Sequence, residues 1–318
     1  MNVLKKIVVN VISCLIPLVI IGLCVHHLNF ILRPTDTDGA FEQIDTFHNL
    51  PSKSIDIIVY GSSLAYRGVD SHILSKESGA VVYNYGYHWQ KINTTKLFVM
   101  DSLLTQSPKL AIIECRFVYQ PLENVNMDAQ IYYTRYLNVD KERKDYLKKC
   151  FGGDIERYLS YYCPLIAFHD NWSSLTSKNF LPLVYGKSAN LATMGASTDS
   201  ETITPIVIPS QDSLPQKALS ESAIEELQEI LEVCKENNTR VLFFSAPYAD
   251  VNQYAEAMET FAQENDCKYV NLFDFLNEME INPSIDFHDE YHVNKSGATK
   301  MSSFLGKYIC ENYDFFEK

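Results

Sequence analysis

Basic residues, glycine, proline and repeats are all scarce in this sequence, and each scarcity excludes a class of protein. Lysine and arginine number 27 against 40 aspartates and glutamates, and the resulting net charge of −13 argues against a nucleic-acid partner. Twelve glycines and twelve prolines are too few for a collagen-like or low-complexity chain. The sequence shows no internal repeat of about 20–50 residues, so a solenoid is not predicted. Apolar residues make up 46% of the 318 positions, so the composition is that of a folded protein.

Motifs of metal and cofactor chemistry are also missing. The absence of a C-x-x-C pair disfavours a zinc ribbon or a thioredoxin-like site. The phosphate-binding pattern G-x-x-x-x-G-K-[ST] does not occur, nor does H-E-x-x-H. The sequence therefore predicts no cofactor and no metal. Six cysteines outside the N-terminal segment leave the disulfide pattern open.

The N-terminal segment lacks acidic residues altogether, since the first 32 positions contain none. Lys5 and Lys6 precede an apolar run over residues 7–32, which exceeds the roughly 20 residues needed to cross a bilayer core. The positive-inside rule places the lysines in the cytoplasm. We therefore predict a cytoplasmic tail over 1–6, a transmembrane signal anchor over 7–32, a polar stalk over 33–54 and an extracytoplasmic domain over 55–318. The chain would be a single-pass protein of the cell membrane.

Three other interpretations of this segment are weaker. A cleaved signal peptide is disfavoured because no A-x-A site follows the apolar run. Residues 11–14 resemble a bacterial lipoprotein box, but a long apolar run follows Cys14 where a polar mature terminus is expected. A buried core helix is disfavoured by the Lys-Lys pair and by the length of the run.

Short apolar runs rich in β-branched residues predict five buried strands, at 55–60, 80–85, 109–114, 240–245 and 268–272. Segments with helical spacing separate them, at 71–76, 94–105, 220–237, 254–265 and 296–313. This alternation predicts an α/β fold, a three-layer sandwich with a parallel central sheet and helices on both faces. Residues 118–220 show no clear period, and we predict an insertion that caps or flanks the site. Sites in such sheets form at the carboxyl ends of the strands.

Ser63 lies at one of these strand ends, in a Gly-Ser-Ser turn that opens a helix. A serine exposed there, beside backbone N–H groups, suits a nucleophile whose attack creates an oxyanion. The alternative is that Ser63 is simply the helix N-cap, which the tripeptide alone favours.

Near the carboxyl terminus, Asp289 and His292 are three residues apart, so on a helical turn they would lie on one face. A carboxylate in that position holds the imidazole Nδ1–H and leaves Nε2 free to deprotonate an alcohol. One alternative is a solvated acidic loop with incidental histidines. Another is a metal site formed with Asp286 and His288, although a dense ligand set is lacking.

Taken together in this order, three segments resemble the blocks of the SGNH/GDSL hydrolase family. Residues 61–64 (Gly-Ser-Ser-Leu) resemble its first block, with Ser62 where an aspartate often stands, and residues 84–86 (Asn-Tyr-Gly) resemble its second. Residues 289–297, with Asp289, His292 and Gly297, resemble its last block. The Gly-Ser-Ser variant and the N-terminal anchor resemble the membrane-tethered branch that includes the D-alanyl-lipoteichoic acid biosynthesis proteins.

This resemblance implies a flavodoxin-like SGNH hydrolase fold in which Ser63 is the nucleophile, His292 the general base and Asp289 its orienting carboxylate. It also implies that the N–H groups of Ser63 and Gly86 form the oxyanion hole. The family's third block offers an asparagine after the third strand, where this chain has Glu114-Cys115-Arg116. Arg116 could replace the missing donor or could only pair with Glu114.

Further candidates are open to two interpretations each. Arg67 could bind an anionic substrate or cap its helix, and His88 could line the pocket or only pack. Trp172 stands among polar residues in the insertion, where a sugar platform is possible but a buried structural tryptophan is the favoured reading.

Three functions follow. The first is a serine esterase that removes small acyl groups from a surface polysaccharide or a teichoic-acid-like polymer. The second is an O-acyltransferase of acetyl or D-alanyl type; for it the resemblance implies a polytopic membrane-bound O-acyltransferase as partner. The third is a non-catalytic, glycan-binding scaffold on a hydrolase fold, which the missing asparagine favours.

Overall fold

The computed structural model describes residues 3–33, 40–118, 129–180 and 192–314. A five-stranded parallel sheet has the order β2-β1-β3-β4-β5. The strands are β1 (Ile57–Tyr60), β2 (Val82–Asn84), β3 (Leu110–Glu114), β4 (Arg240–Ser245) and β5 (Lys268–Asn271). All five predicted strands are confirmed, each within two residues at either end, and the predicted α/β fold class is confirmed with them.

Both faces of the sheet are buried, which explains why the strands are nearly continuous apolar runs. Alternate residues point to opposite faces. Ile58, Ile113 and Phe243 belong to one core, whereas Ile57, Ile112 and Leu242 belong to the other. The sheet is therefore the middle layer of three.

Helices separate the strands and cover both faces. Before β3 they are α1 (Val3–Ile31), α2 (Ala40–His48), α3 (Ser63–Gly68), α4 (Ser71–Ser78) and α5 (Ile92–Leu103). The insertion has α6 (Ala129–Tyr133), α7 (Asp140–Phe151), α8 (Ile155–Tyr162), α9 (Pro164–Ala167) and α10 (Ser177–Phe180). The last three are α11 (Glu221–Glu236), α12 (Ala255–Glu264) and α13 (Lys295–Asn312). All eight cysteines lie in the described residues, and none of them forms a disulfide.

Helix α1 is long and apolar enough to cross a membrane. Within its stretch from Lys5 to Ile31, the most apolar 18-residue window has a mean hydropathy of 2.7, and none of that window is buried in the protein. This agrees with either a signal anchor or a signal peptide.

The predicted stalk over 33–54 is wrong for residues 40–48. Residues 40–48 form α2, and the side chains of Ile44 and Phe47 are buried in the core that covers one face of the sheet. The buried Gln43 amide donates to the carbonyls of Asn84, Gly86 and Gly195. This segment is therefore an integral part of the domain, joined to the strand end that precedes Gly86.

The insertion returns beside β2 and reaches the carboxyl edge of the sheet. The Asn84 N–H donates to the carbonyl of Met194, and the Ser197 N–H donates to the carbonyl of Tyr66 in α3. Gly195 has a positive φ of +85°, and any side chain there would collide with the Asn84 backbone. Residues 194–197 of the insertion thus flank the region in which Ser63 lies.

Candidate active site

The candidate site lies at the carboxyl ends of the central strands. In the order β2-β1-β3 the chain changes direction between β1 and β3, where parallel α/β sheets form their crevice. Ser63 follows β1, and Arg116 follows β3. His292 comes from the loop before α13 and reaches the same edge.

Within the Gly-Ser-Ser turn the two serines have different roles. Ser62 is the N-cap of α3, because its Oγ accepts from the Leu64 N–H, and it is 1% exposed. Ser63 is the first helical residue and is partly exposed. The interpretation of Ser63 as the cap is therefore wrong: the neighbouring hydroxyl caps the helix and leaves that of Ser63 facing the crevice.

Glu114 holds this turn from the end of β3. Its carboxylate accepts from the Ser62 N–H at 3.1 Å and from Ser62 Oγ at 2.5 Å. The Gly61 N–H donates to Gln90 Oε1 at 2.7 Å. Gly61 has φ +132°, and a Cβ there would stand 2.5 Å from Glu114 Cβ, so only glycine allows the carboxylate to pack over the turn. Burial raises the pKa of Glu114, although the hydrogen bonds from Ser62 and from the Arg116 N–H oppose this shift.

The predicted convergence of serine and histidine is confirmed. His292 Nε2 lies 2.8 Å from Ser63 Oγ, across 229 positions of sequence. On the other side of the ring, His292 Nδ1 lies 2.9 Å from both carboxylate oxygens of Asp289. An ionised carboxylate only accepts, so Nδ1 carries the proton and Nε2 is free to accept from the serine hydroxyl.

Main-chain contacts fix the loop that carries this imidazole. Asp289 Oδ1 also accepts from the N–H groups of Tyr291 and His292, both at 2.8 Å. The carbonyl of His292 accepts from the His288 N–H at 2.8 Å. Asn294 caps α13, with Oδ1 accepting from the Gly297 N–H and Nδ2 donating to the carbonyl of Ile285. Asp289 and the neighbouring main chain thus orient His292. Residues 200–204 of the insertion also hold the loop, because Ser200 Oγ lies 2.7 Å from His288 Nδ1 and Thr204 Oγ1 donates to the carbonyl of His288.

Electrostatics favour a neutral base and an ionised acid. Burial lowers the pKa of His292 below its ordinary value, Asp289 opposes this shift, and the positive charges of Arg67 and Arg116 lower the pKa further. For Asp289, burial alone would raise the pKa, but the hydrogen bonds from the His292 side chain and from the Tyr291 N–H outweigh it and lower the pKa. At neutral pH the imidazole is therefore uncharged and ready to take a proton.

The predicted oxyanion donors differ in availability. Among the described residues, nothing accepts from the Ser63 N–H, as expected for the first turn of a helix. The Gly86 N–H already donates to Asn84 Oδ1 at 3.0 Å, so serving an oxyanion requires that this bond be shared or broken. Asn84 Nδ2 in turn donates to the carbonyls of Ala65 and Val69, which fastens β2 to α3.

Arg116 lies among aromatic rings at the crevice. Its guanidinium carbon is 4.5 Å from the ring centre of Tyr291, 4.8 Å from that of Tyr248 and 5.3 Å from that of Phe117. Arg116 contacts Glu114 through its backbone N–H at 2.5 Å, and the positive charge of its side chain counteracts the raised pKa of Glu114. The guanidinium is near enough to His292 to lower the pKa of the imidazole.

The two candidate substrate-binding residues lie in different surroundings. Arg67, partly exposed, lines a cavity of about 170 Å³ with residues 197–200 of the insertion and with His288. His88 packs edge-on against Tyr66 and Tyr87, with ring centres at 5.1 and 5.5 Å. In the part of the chain that the structure describes, no group of three or more potential ligands is arranged to hold a metal ion.

Sequence reasoning missed several residues of this site. Gln43 and Gln90 act through buried hydrogen bonds across long sequence separations, and no local pattern marks them. Glu114 stands at a predicted strand end, but its hydrogen bonds to Ser62 were not predicted. Trp89 projects 56% exposed and stacks on Phe117, with ring centres 5.5 Å apart and its own φ at +56°. Trp89 itself was not missed, because the pair His88-Trp89 follows Gly86 in the sequence, where it could line the pocket or only pack.

No protein-family model and no curated protein matches this sequence. Among solved structures, the chain is similar to GDSL-like lipases and acylhydrolases. A candidate acylhydrolase from Bacteroides fragilis is 12% identical with a TM-score of 0.42, covering 87% of this chain and 99% of that chain. A GDSL-like lipase from Bacteroides thetaiotaomicron is 12% identical with a TM-score of 0.42, covering 86% and 97%. A candidate GDSL-like lipase from Parabacteroides merdae is 11% identical with a TM-score of 0.39, covering 82% and 98%.

Proposed function

We propose that this protein is a serine esterase that hydrolyses acyl esters on a surface glycan or a related polymer. The observation that carries the proposal is the continuous relay from Ser63 Oγ through His292 to Asp289, with separations of 2.8 and 2.9 Å. An alcohol, an imidazole and a carboxylate in that order make up the catalytic arrangement of serine hydrolases.

In the first half of the reaction Ser63 Oγ attacks the ester carbonyl carbon while His292 Nε2 takes the hydroxyl proton. The carbonyl oxygen becomes an oxyanion, which the Ser63 N–H and the Arg116 guanidinium stabilise in this proposal. Collapse breaks the bond to the alcohol oxygen, and His292 returns the proton to that leaving group. The acyl group is then esterified to Ser63.

In the second half, water attacks the acyl-enzyme and gives its proton to His292. The bond between the acyl carbon and Ser63 Oγ breaks, and the serine recovers the proton from the imidazole. Asp289 stabilises the imidazolium that forms in each half, without taking the proton itself.

A glycan as substrate is supported by the aromatic surface beside the relay. Trp89 and Tyr291 are 56% and 43% exposed, and a series of ring and guanidinium contacts through Phe117 and Arg116 joins them to His292. Such rings offer an apolar face with a polar edge, which suits the faces of sugar rings. A left-handed φ is unusual for a bulky residue, and the exposed Trp89 accepts that strain at the crevice.

A location outside the cytoplasm is supported by the N-terminal sequence. Lys5 and Lys6 precede the apolar stretch of α1, and the acidic domain follows it. In this proposal α1 is retained as an anchor, and the crevice faces the exterior.

A fluorophosphonate probe tests the chemistry directly, on the full chain in detergent. We expect labelling of the wild type, complete loss in Ser63→Ala, and slower but retained labelling in the matched control Ser62→Ala, whose hydroxyl is turned toward Glu114. Labelling of Ser63→Ala at the wild-type rate would contradict the proposal. So would an unlabelled wild type that is folded, which instead favours a non-catalytic scaffold.

The substrate class needs a separate measurement. Acetate release from an acetylated polysaccharide and from p-nitrophenyl acetate is compared for the wild type and Trp89→Ala. We expect KM for the polymer to rise while kcat/KM for the small ester stays within about twofold, because the ring contacts only the polymer. An equal effect on both substrates would contradict a glycan-binding role. Faster release of the acyl group to a sugar hydroxyl than to water would indicate transfer instead of hydrolysis.

A further inference from the structure

The insertion contains an apolar surface at the end of α1 that the esterase proposal leaves unexplained. Helix α8 exposes Ile155, Leu159 and Tyr162, with fractions of 73%, 52% and 55%. Their spacing of four and three residues places them on one face of the helix. Ile166, Trp172 and Phe180 extend the exposed set, at 41%, 59% and 60%. We call these six side chains the apolar platform. The favoured reading of Trp172 as a buried residue is therefore wrong.

Hydrogen bonds tie this part of the insertion to the last turn of α1. Asn29 Oδ1 accepts from the Leu165 N–H at 2.8 Å, one residue before Ile166. Asn179 Nδ2 donates to the carbonyl of Ile31 at 2.8 Å, one residue before Phe180. The platform is thus held directly against the C-terminal end of the candidate anchor.

Residues 171–179 of the insertion also bond Leu32 and Arg33, which follow α1. Asn171 Nδ2 donates to the carbonyl of Leu32 at 3.1 Å, and Arg33 donates to the carbonyl of Asn179 at 3.0 Å. Leu32 and Arg33 are 0% and 5% exposed, so the chain leaves α1 inside the domain. The carbonyls at the end of α1 are therefore capped by asparagines of the insertion.

The height of the platform relative to the apolar part of α1 follows from helix geometry. Leu23 is still 63% exposed, and Asn29 lies six residues later. At about 1.5 Å per residue, this separation is about 9 Å along the helix axis. An anchor that buries Leu23 in acyl chains would place the bonded segment at the depth of the headgroups, where tryptophan and tyrosine are enriched.

The local net charge of this segment is consistent with a position among the lipid headgroups. Residues 155–180 carry two acidic and two basic residues, whereas the whole chain has a net charge of −13. A locally neutral, apolar surface can enter the boundary without the desolvation cost of unpaired charges. The rest of the domain is acidic, so its entry into the boundary would cost more desolvation free energy.

We propose that the apolar platform is a second membrane contact, which inserts into the headgroup region of the bilayer that α1 spans and fixes the orientation of the domain on it. The occupant is lipid. The proposal rests on the retention of α1 as an anchor and is independent of the esterase chemistry.

The two tryptophans of the chain provide a matched test, because Trp172 is in the platform and Trp89 is at the crevice with a similar exposure of 56%. The full chain is reconstituted in phosphatidylcholine nanodiscs whose acyl chains are brominated near the headgroup. Trp89→Phe leaves Trp172 as reporter, and Trp172→Phe leaves Trp89. Because an interfacial side chain lies about 5–10 Å into the boundary, we expect Trp172 emission to fall about twofold and Trp89 emission to stay unchanged.

A triple variant, Ile155→Ser with Leu159→Ser and Ile166→Ser, should remove the quenching of Trp172. Its control replaces exposed apolar residues elsewhere, Ile203→Ser with Val207→Ser and Leu214→Ser, and should keep the quenching. Unquenched Trp172 in the wild type overturns the proposal and makes a protein partner the better occupant. Equal quenching of both tryptophans also overturns it, because the domain would then lie on the membrane without orientation. Release of the full chain from membranes by alkaline carbonate would instead show that α1 is not an anchor, and the platform would fail with it.

Discussion

The serine and the histidine of the candidate site are held in place by different parts of the protein. The turn that presents Ser63 is buried, and its conformation depends on distant side chains, Glu114 and Gln90. The loop that presents His292 is half-exposed: Asp289, three residues away, orients the imidazole, and residues 200–204 of the insertion bond the loop. The position of Ser63 is therefore coupled to the stability of the sheet, whereas that of His292 depends on Asp289 and on the contact of its loop with the insertion. Substitutions near Ser63 and near His292 should therefore affect activity and stability differently.

The largest effect is expected on the side of the base. His292→Gln should lower kcat by about 10⁴–10⁶-fold, because the serine loses its proton acceptor while the fold is kept. The measurement is turnover of p-nitrophenyl acetate, with near-ultraviolet circular dichroism to confirm the fold. His72→Gln, on the exposed face of α4, is the control and should stay near wild-type activity. Comparable activity of the two variants would refute the role of His292.

On the side of the nucleophile, Glu114→Gln should reduce both stability and acylation. An amide offers only one acceptor oxygen, so a buried donor of Ser62 or Arg116 is left unsatisfied, at about 1–3 kcal/mol of unfolding free energy. Chemical denaturation and the rate of fluorophosphonate labelling measure the two effects.

The matched control is Glu226→Gln, another buried glutamate, which pairs with Lys149 and lies in α11. It should lower stability without slowing the labelling of folded protein. If both variants slow labelling equally, Glu114 has no specific role at the turn.

The pH dependence of kcat/KM tests the electrostatic surroundings of His292. Because burial lowers the pKa of His292, and Arg67 and Arg116 lower it further, the imidazole stays neutral down to a pH below its ordinary value of about 6.5. The acid limb of kcat/KM should therefore lie below pH 6.5, with activity rising as the pH increases through it. Arg67→Gln removes a positive charge and should move the limb upward. A downward shift would contradict this electrostatic account.

The smallest effect is expected at the cap of α13. Asn294→Ala should cost about 0.5–2 kcal/mol of stability, because the Gly297 N–H loses its acceptor. Asn294→Ser should recover much of this cost, since serine is also a preferred cap. Thermal unfolding measures both, and equal destabilisation would mean that the contact of Nδ2 with the carbonyl of Ile285 matters more than the cap.

The sheet could be predicted from the sequence because every strand is a short apolar run buried on both faces. The hydrogen bond between Ser63 and His292 could be predicted because both residues stand at strand ends or helix starts, which parallel topology brings together. Helix α2 was missed because charged and polar residues mask the helical spacing of Phe41, Ile44 and Phe47. The hydrogen bonds between α1 and the insertion could not be predicted. They are made by single asparagines, most of them in segments that show no hydrophobic period. The roles of Arg116 and Gly86 stay predictions.

The return of the insertion along β2 has a consequence for the behaviour of the protein in solution. β2 is a three-residue strand at the margin of the sheet, and the carbonyl of Met194 occupies the N–H of Asn84 there. Gly195 lies so close to that strand that another strand could not pair with it at this position. This margin is thus closed to strand addition, so that two copies of the chain are kept from aggregating through it.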